Sequence, residues 1–177
     1  MQILGISGSL RAGSHNTRLL RAAAELVPPG AELRIFGRLG EIPPFDADAE
    51  RSASPAVLAL KEAIAEADAV VIATPEYNHS IPGVLKNALD WVSRPIASNP
   101  MRGKPALVIG ASTGMFGAVW AQAETRKVLG ALGARVLDEE LPVARAPEGL
   151  EDHELMARLA DLLNDLVSSG EALRRAA

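Results

Sequence analysis

The hydrophobic positions of this chain come in short blocks whose period alternates between that of a strand and that of a helix. Ile3-Leu4-Gly5-Ile6 is an apolar run that stops at a Ser/Gly cluster, and helical spacing starts only after Asn16. There Leu19, Leu20, Ala23, Leu26 and Val27 recur at three- and four-residue steps, which places them on one helix face, and Pro28-Pro29-Gly30 stops the helix. Ala31 to Phe36 alternates as a second strand. Gly37 to Ser54 reads as a long irregular connection, and Val57, Leu60, Ala63 and Ile64 mark a second helix that opens at Ser54-Pro55.

Further on, Ala69-Val70-Val71-Ile72-Ala73 is continuously apolar, the pattern of a strand covered on both sheet faces. Ser80 followed by Pro82 predicts the start of a third helix, with Leu85, Ala88, Leu89 and Val92 as its buried stripe. Pro105 to Ala111 is a fourth buried strand, and a helix is expected from about Phe116 to Leu129. A weak fifth strand lies within Ala134 to Val143, and an amphipathic helix from Leu150 to Val167 closes the pattern. Strands alternating with helices imply an α/β fold: a doubly wound, five-stranded parallel sheet with helices on both faces. No internal repeat or linker divides it, so one domain over residues 1–177 is expected. In such sheets ligands sit beyond the carboxyl ends of the strands, which directs attention to the loops after strands one, three and four.

Composition narrows the chemistry. The 48% hydrophobic content is never gathered into a run of ~20 apolar residues, so no transmembrane helix is expected. Met1-Gln2-Ile3-Leu4 leads straight into a strand without a basic leader, and a cytoplasmic location is the expectation. Cysteine is absent, which excludes disulfides, thiolate catalysis and thiolate metal sites, so redox chemistry would need a bound cofactor. His15, His79 and His153 lack the short spacings of metal ligands, and no metal is expected. A net charge of −4 gives no general attraction to nucleic acid or an anionic membrane. The local exception is a basic group, Arg11, Arg18 and Arg21 with His15, in the first loop and helix.

That first loop, Gly8-Ser9-Leu10-Arg11-Ala12-Gly13-Ser14-His15-Asn16-Thr17, runs from a strand into a helix N-terminus. Unpaired N–H groups there carry about half a positive charge, so an anion is held by geometry already present. The glycine spacings of dinucleotide and P-loop sites are both missing. Hydroxyls on Ser9, Ser14 and Thr17, the Asn16 amide and the Arg11 guanidinium converge instead, a donor set suited to a terminal phosphate monoester. In the second loop, Pro75-Glu76-Tyr77-Asn78, the only tyrosine in the chain offers a flat wall for an aromatic ring, and Asn78 an edge contact. The third, Gly110-x-Ser112-x-Gly114, has the strand-to-helix setting of a nucleophile elbow, and Asp138 and His153 follow in the order a serine esterase would use. The esterase leaves the first two loops unexplained.

Taken together, Gly8-Ser9-Leu10-Arg11 with Ser14 and Asn16, and Pro75-Glu76-Tyr77-Asn78 with Ser80, Pro82-Gly83, Leu85-Lys86-Asn87-Ala88 and Asp90-Trp91, resemble the NADPH-dependent FMN reductase family. Gly110-Ala111-Ser112-Thr113-Gly114, with Gly117, Gln122 and Arg126, is similar to the family's third loop and the helix after it. The resemblance covers roughly residues 3 to 126 and implies a flavodoxin-like fold. It implies that Ser9, Arg11, Ser14 and Asn16, in a loop that also carries His15 and Thr17, bind the FMN phosphate. Pro75, Glu76, Tyr77 and Asn78 would contact the flavin ring, and Ser112, Thr113 and Gly114 would line its other edge. Ala118 stands where relatives often carry glycine, and Trp120 adds bulk nearby.

The implied activity is hydride transfer from NADPH or NADH through bound FMN to a small electron acceptor such as a quinone, chromate, an azo compound or free flavin, with no indispensable acid–base residue. A homodimer or homotetramer is implied as well, with Trp91 and Trp120 placed either at the interface or in the core. The other reading of the same loops is an FMN-binding electron carrier without turnover.

Overall fold

The computed structural model describes residues 1–176. Six strands make one sheet: β1 (Gln2–Ser7), β2 (Glu32–Phe36), β3 (Ala69–Ala73), β4 (Pro105–Ala111), β5 (Arg135–Val136) and β6 (Leu141–Val143). Every pairing is parallel, in the order β2-β1-β3-β4-β5, with β6 also pairing with β4. The expected fifth strand is therefore present but split. Arg135-Val136 pairs with Pro105-Ala106, and Leu141–Val143 pairs with Ile109–Ala111. Between them stand Asp138, Glu139 and Glu140, whose charges resist a place on a covered sheet.

Six helices flank the sheet: α1 (His15–Leu26), α2 (Pro55–Glu66), α3 (Gly83–Val92), α4 (Val119–Ala131), α5 (Ala146–Gly149) and α6 (His153–Ala176). Successive strand residues point to opposite faces, so the apolar runs feed two cores. On one face Leu4, Ile6, Val70, Ile72 and Val108 meet Val57, Leu60 and Ile64 of α2 and Leu85 and Leu89 of α3. On the other, Ile3, Val71, Leu107 and Ile109 meet Leu19, Leu20 and Ala23 of α1 and Leu159, Leu162 and Leu166 of α6. Full burial of a leucine or isoleucine is worth about 1.5–3 kcal/mol, so these two layers hold the strand ends rigidly in place.

Three helix starts differ from expectation. Ser80 does not cap α3, which begins at Gly83 behind Pro82 with no side-chain cap; the Ser80 hydroxyl bonds Glu124 instead. Likewise α4 begins at Val119 rather than near Phe116, because Gly117 and Ala118 both take left-handed backbone, φ 57° and 63°. At Gly117 a β-carbon would lie 2.5 Å from the Pro142 carbonyl carbon, so conformation and space both require glycine. The last helix also starts later and runs further than its apolar pattern suggested, with α5 forming a separate turn before it. Trp91 is a core residue, 2% exposed: its indole N–H donates to the Pro43 carbonyl at 2.8 Å and its ring meets the Phe45 ring edge-on. It fastens the long connection after β2 to α3. Trp120, by contrast, is 39% exposed.

Candidate functional site

Because all strands run the same way, β1, β3 and β4 end at one edge of the sheet, and the three expected loops leave from that edge together. They are stitched to one another. The Gly8 N–H donates to the Ala73 carbonyl at 2.8 Å, tying the first loop to the end of β3. Asn16, buried at the start of α1, donates its amide to the Ala111 carbonyl and accepts the Ala111 N–H, both at 2.9 Å. Ser112 donates its N–H to the Val143 carbonyl and accepts from the Ala146 N–H, which anchors the third loop to β6 and α5.

The second loop closes as a tight hairpin. Tyr77 and Ser80 exchange both backbone hydrogen bonds, at 3.2 and 3.0 Å, around Asn78 and His79, whose φ values of 53° and 58° define a type I′ turn. Left-handed backbone at a histidine costs about 1–2 kcal/mol, and two carboxylates hold it there. Glu76 Oε2 accepts the N–H groups of Trp120 and Ala121 at 3.0 and 3.2 Å, supplying the cap that Ala118 at the start of α4 cannot. In return Glu124 of α4 accepts the Ser80 hydroxyl and the Ile81 N–H. These bonds, Ser80 first, hold the Glu124 carboxyl below its ordinary pKa.

The resulting cleft is lined by Ser9, Arg11, Ser14, His15 and Asn16 from the first loop, by Pro75, Glu76 and Tyr77 from the second, and by Ala111, Ser112 and Thr113 from the third. Ten of the thirteen residues singled out from the sequence thus meet in one place. Thr17 is not among them: its hydroxyl pairs with Ser7 at 2.8 Å on the neighbouring wall. Asn78 stands at the hairpin tip and Gly114 beyond the third loop's turn, both exposed and outside the lining.

Several polar groups of the first loop have no hydrogen-bond partner among the described residues. His15 Nδ1 is buried with no hydrogen-bond partner. Among the described residues no backbone carbonyl accepts the N–H groups of Ala12, Gly13, His15 and Asn16. Ser14 Oγ accepts the Thr17 N–H at 3.2 Å and has its own proton left to donate. Among the described residues the Arg11 guanidinium hydrogen-bonds only the Gly13 carbonyl, at 3.0 Å. A phosphate monoester offers three acceptor oxygens suited to donors of this kind. The Tyr77 ring, 56% exposed, stands at the open side as a flat wall. The residues present fit FMN by their chemistry: hydroxyl, guanidinium and backbone N–H groups that could hold its phosphate, and an exposed aromatic face that its ring could lie against.

The esterase arrangement is not formed. Ser112 lies in the loop after β4, but α4 starts only at Val119, so there is no tight strand-to-helix elbow. Neither Asp138 nor His153 lines the cleft, and among the described residues no hydrogen bond joins Ser112 Oγ to either. What sequence reasoning missed was Ala111, which contributes backbone, and Glu124. Only the paired carboxylate bonds across 44 positions reveal Glu124, and no local signal marks it.

A β2-β1-β3-β4-β5 sheet reverses its strand order between β1 and β3, the point at which flavodoxin-like proteins bind FMN, and the phosphate-ready loop leaves from β1. Fold and site together define a flavodoxin-like mononucleotide-binding protein. The chain belongs to the NADPH-dependent FMN reductase family, whose model matches residues 1–148, beyond the reach of the recognisable motifs. It is 48% identical over 130 residues to an NAD(P)H-dependent FMN reductase of Pseudomonas aeruginosa, covering 73% of this chain and 69% of that one. It is 40% identical over 141 residues to a quinone reductase of Escherichia coli, covering 78% and 74%. Among solved structures, the flavoenzyme NAD(P)H:(acceptor) oxidoreductase FerB of Paracoccus denitrificans superposes with a TM-score of 0.85 at 34% identity, covering 97% of each chain. No helix of the described residues is long and apolar enough to cross a membrane.

Proposed function

We propose that this chain is an NAD(P)H-dependent oxidoreductase that carries electrons through FMN to a quinone or a similar small acceptor. The observation that carries the reading is the cradle of unpaired donors, with His15 Nδ1 buried among them, beside an exposed tyrosine at the sheet's switch point. FMN, when bound, supplies the hydride chemistry. The protein's residues bind and orient: Ser9, Arg11, Ser14 and His15 grip the phosphate, and the N-terminus of α1 adds its dipole. Asn16 and Gly8 fix that loop against β4 and β3. Glu76 holds Tyr77 in place through α4. No side chain in the cleft is needed as nucleophile or general base.

The cleft is about 140 Å³, well below the 300 Å³ or so of an enclosing ligand pocket. A cleft of that size could take the phosphate end of FMN and would leave the ring largely open, which supports donor and acceptor taking turns on one face. Ping-pong kinetics are the expected consequence. Beside the opening, Met115, Phe116 and Trp120 are exposed, with Phe116 and Trp120 ring centroids 5.0 Å apart. An apolar cluster of this kind supports self-association, as a homodimer or homotetramer, that covers it. The described residues pack around one sheet, which supports a single domain, and a nicotinamide donor suits the cytoplasm.

The test is spectroscopic. Purified protein, loaded with FMN if needed, should be yellow, bleach on NADPH addition and recover when a quinone is added. Steady-state lines should be parallel. A protein that binds FMN and is never reduced by a nicotinamide would be a carrier. One that takes up no FMN would end the assignment.

A further inference from the structure

Beside the flavin cleft lies a second, larger groove of about 600 Å³, within the size range of ligand pockets. It runs along the carboxyl ends of β1 and β2, between the first loop and α1 on one side and the connection after β2 on the other. Ser9 and Arg11 line both depressions, so groove and cleft adjoin across a shared wall. Two guanidiniums, Arg11 and Arg21, line the groove, and neither has a carboxylate partner among the described residues. The carboxylate in the lining, Glu41, is already held by Arg38 through bonds of 3.0 and 2.8 Å, so it leaves the two positive charges uncompensated. Exposed Leu10 and the Phe36 ring give the groove an apolar side.

Two free guanidiniums beside an apolar wall, next to a flavin site, match a phosphorylated nucleoside. We propose that this groove takes the adenosine half of NADPH, with Arg21 contacting the 2′-phosphate and the adenine lying against Leu10 and Phe36. The inference rests on the reading of the adjoining cleft as the flavin site. In dinucleotide-binding doubly wound sheets an arginine near the crevice accommodates the 2′-phosphate; here Arg21 stands on α1 and lines the groove at the ends of β1 and β2. A phosphate monoester is a dianion that a planar guanidinium pairs with directly, whereas NADH presents a neutral hydroxyl at the same place. Arg21 therefore sets the preference for NADPH over NADH. Arg11 belongs to the wall shared with the flavin phosphate and is left out of the test for that reason.

The experiment is Arg21→Ala in the FMN-loaded protein, read with both donors. The expected result is a KM for NADPH raised about tenfold, with kcat and the KM for NADH unchanged and the bound FMN, measured by absorbance, undiminished. Arg21→Lys should recover part of the loss. A separate calorimetric titration uses 2′,5′-ADP and 5′-AMP: the first should bind the parent protein and about tenfold more weakly to Arg21→Ala, while the second should be indifferent to the change. Equal movement of both donors, or of neither, overturns the proposal, as does 2′,5′-ADP binding that ignores Arg21. Loss of FMN from the variant would also overturn it, by placing Arg21 in the flavin site. Failure of the parent protein to take up FMN would refute the flavin reading alone, since the calorimetric titration does not depend on it.

Discussion

Asn16 forms a two-way pair with the backbone of Ala111, donating from Nδ2 to the carbonyl and accepting the N–H at Oδ1, each at 2.9 Å, with the side chain buried. The amide imitates a strand neighbour at the point where β4 has run out of ladder partners on that side. Its position in the first turn of α1 makes the phosphate loop and the third loop a single rigid unit. Asn16 is thus committed to positioning the cradle, which separates it from Ser9, Arg11, Ser14 and His15, whose donors are free.

Replacing Asn16 with Ala removes both bonds and leaves a buried N–H and carbonyl unpaired. A loss of about 2–4 kcal/mol in unfolding free energy is expected, at about 1–3 kcal/mol for each orphaned group and with partial relaxation. Urea denaturation measures it. FMN affinity should fall as well, because the loop that grips the phosphate loses its anchor. An Asn16→Ala protein with unchanged stability would contradict the pairing.

The fold was largely legible in the chain. Ala69–Ala73 and Pro105–Ala111 are continuously apolar because helices cover both faces, and such runs have sharp ends. Ser54-Pro55 marked α2 to the residue. What escaped were features set by tertiary contact. Nothing local says that Glu76 will cap α4 from another loop, or that the left-handed backbone at Gly117 and Ala118 delays the helix to Val119. The split between β5 and β6 depends on where three acidic residues can avoid burial. The phosphate loop was visible because its residue types are donors; the links that aim it join residues far apart in sequence and carry no periodicity.

Glu124 gives the second loop a pH dependence. Its carboxylate accepts from Ser80 and Ile81, and its pKa is lowered from the ordinary 4.5, the Ser80 bond contributing most. A carboxyl with a depressed folded pKa stabilises fully above the unfolded value and loses that contribution as pH falls through the folded one. The Tyr77 hairpin should therefore be tethered near neutrality and loosen below about pH 4.5. Stability measured against pH should show an acid limb that Glu124→Gln flattens. An identical limb in the variant would assign the effect to other carboxyls.

The two tryptophans should respond in opposite ways to substitution. Trp91 is packed on Phe45 and bonded to Pro43, so Trp91→Ala should cost about 3–5 kcal/mol and give poorly folded protein. Trp120 meets His79 and Phe116 edge-on at the surface, so Trp120→Glu should leave the fold intact. If the exposed cluster is the self-association surface, the same change should shift the mass seen by light scattering towards the monomer. A Trp120→Glu protein of unchanged mass would move the interface elsewhere.

Ser112 separates flavin chemistry from ester hydrolysis most cleanly. It lines the cleft opposite the phosphate loop, held by its backbone to Val143 and Ala146, and no imidazole approaches its hydroxyl among the described residues. A nucleophilic serine loses essentially all activity when its oxygen is removed, because the covalent step cannot occur. A serine that offers one hydrogen bond to a cofactor loses about 0.5–1.5 kcal/mol of binding, roughly two- to twelvefold in affinity. Ser112→Ala should accordingly raise the FMN dissociation constant within that range, read by flavin fluorescence. Quinone-dependent NADPH oxidation at saturating FMN should survive, since the hydroxyl takes no part in moving the hydride. Abolished turnover with normal flavin binding would reinstate Ser112 as a reacting group.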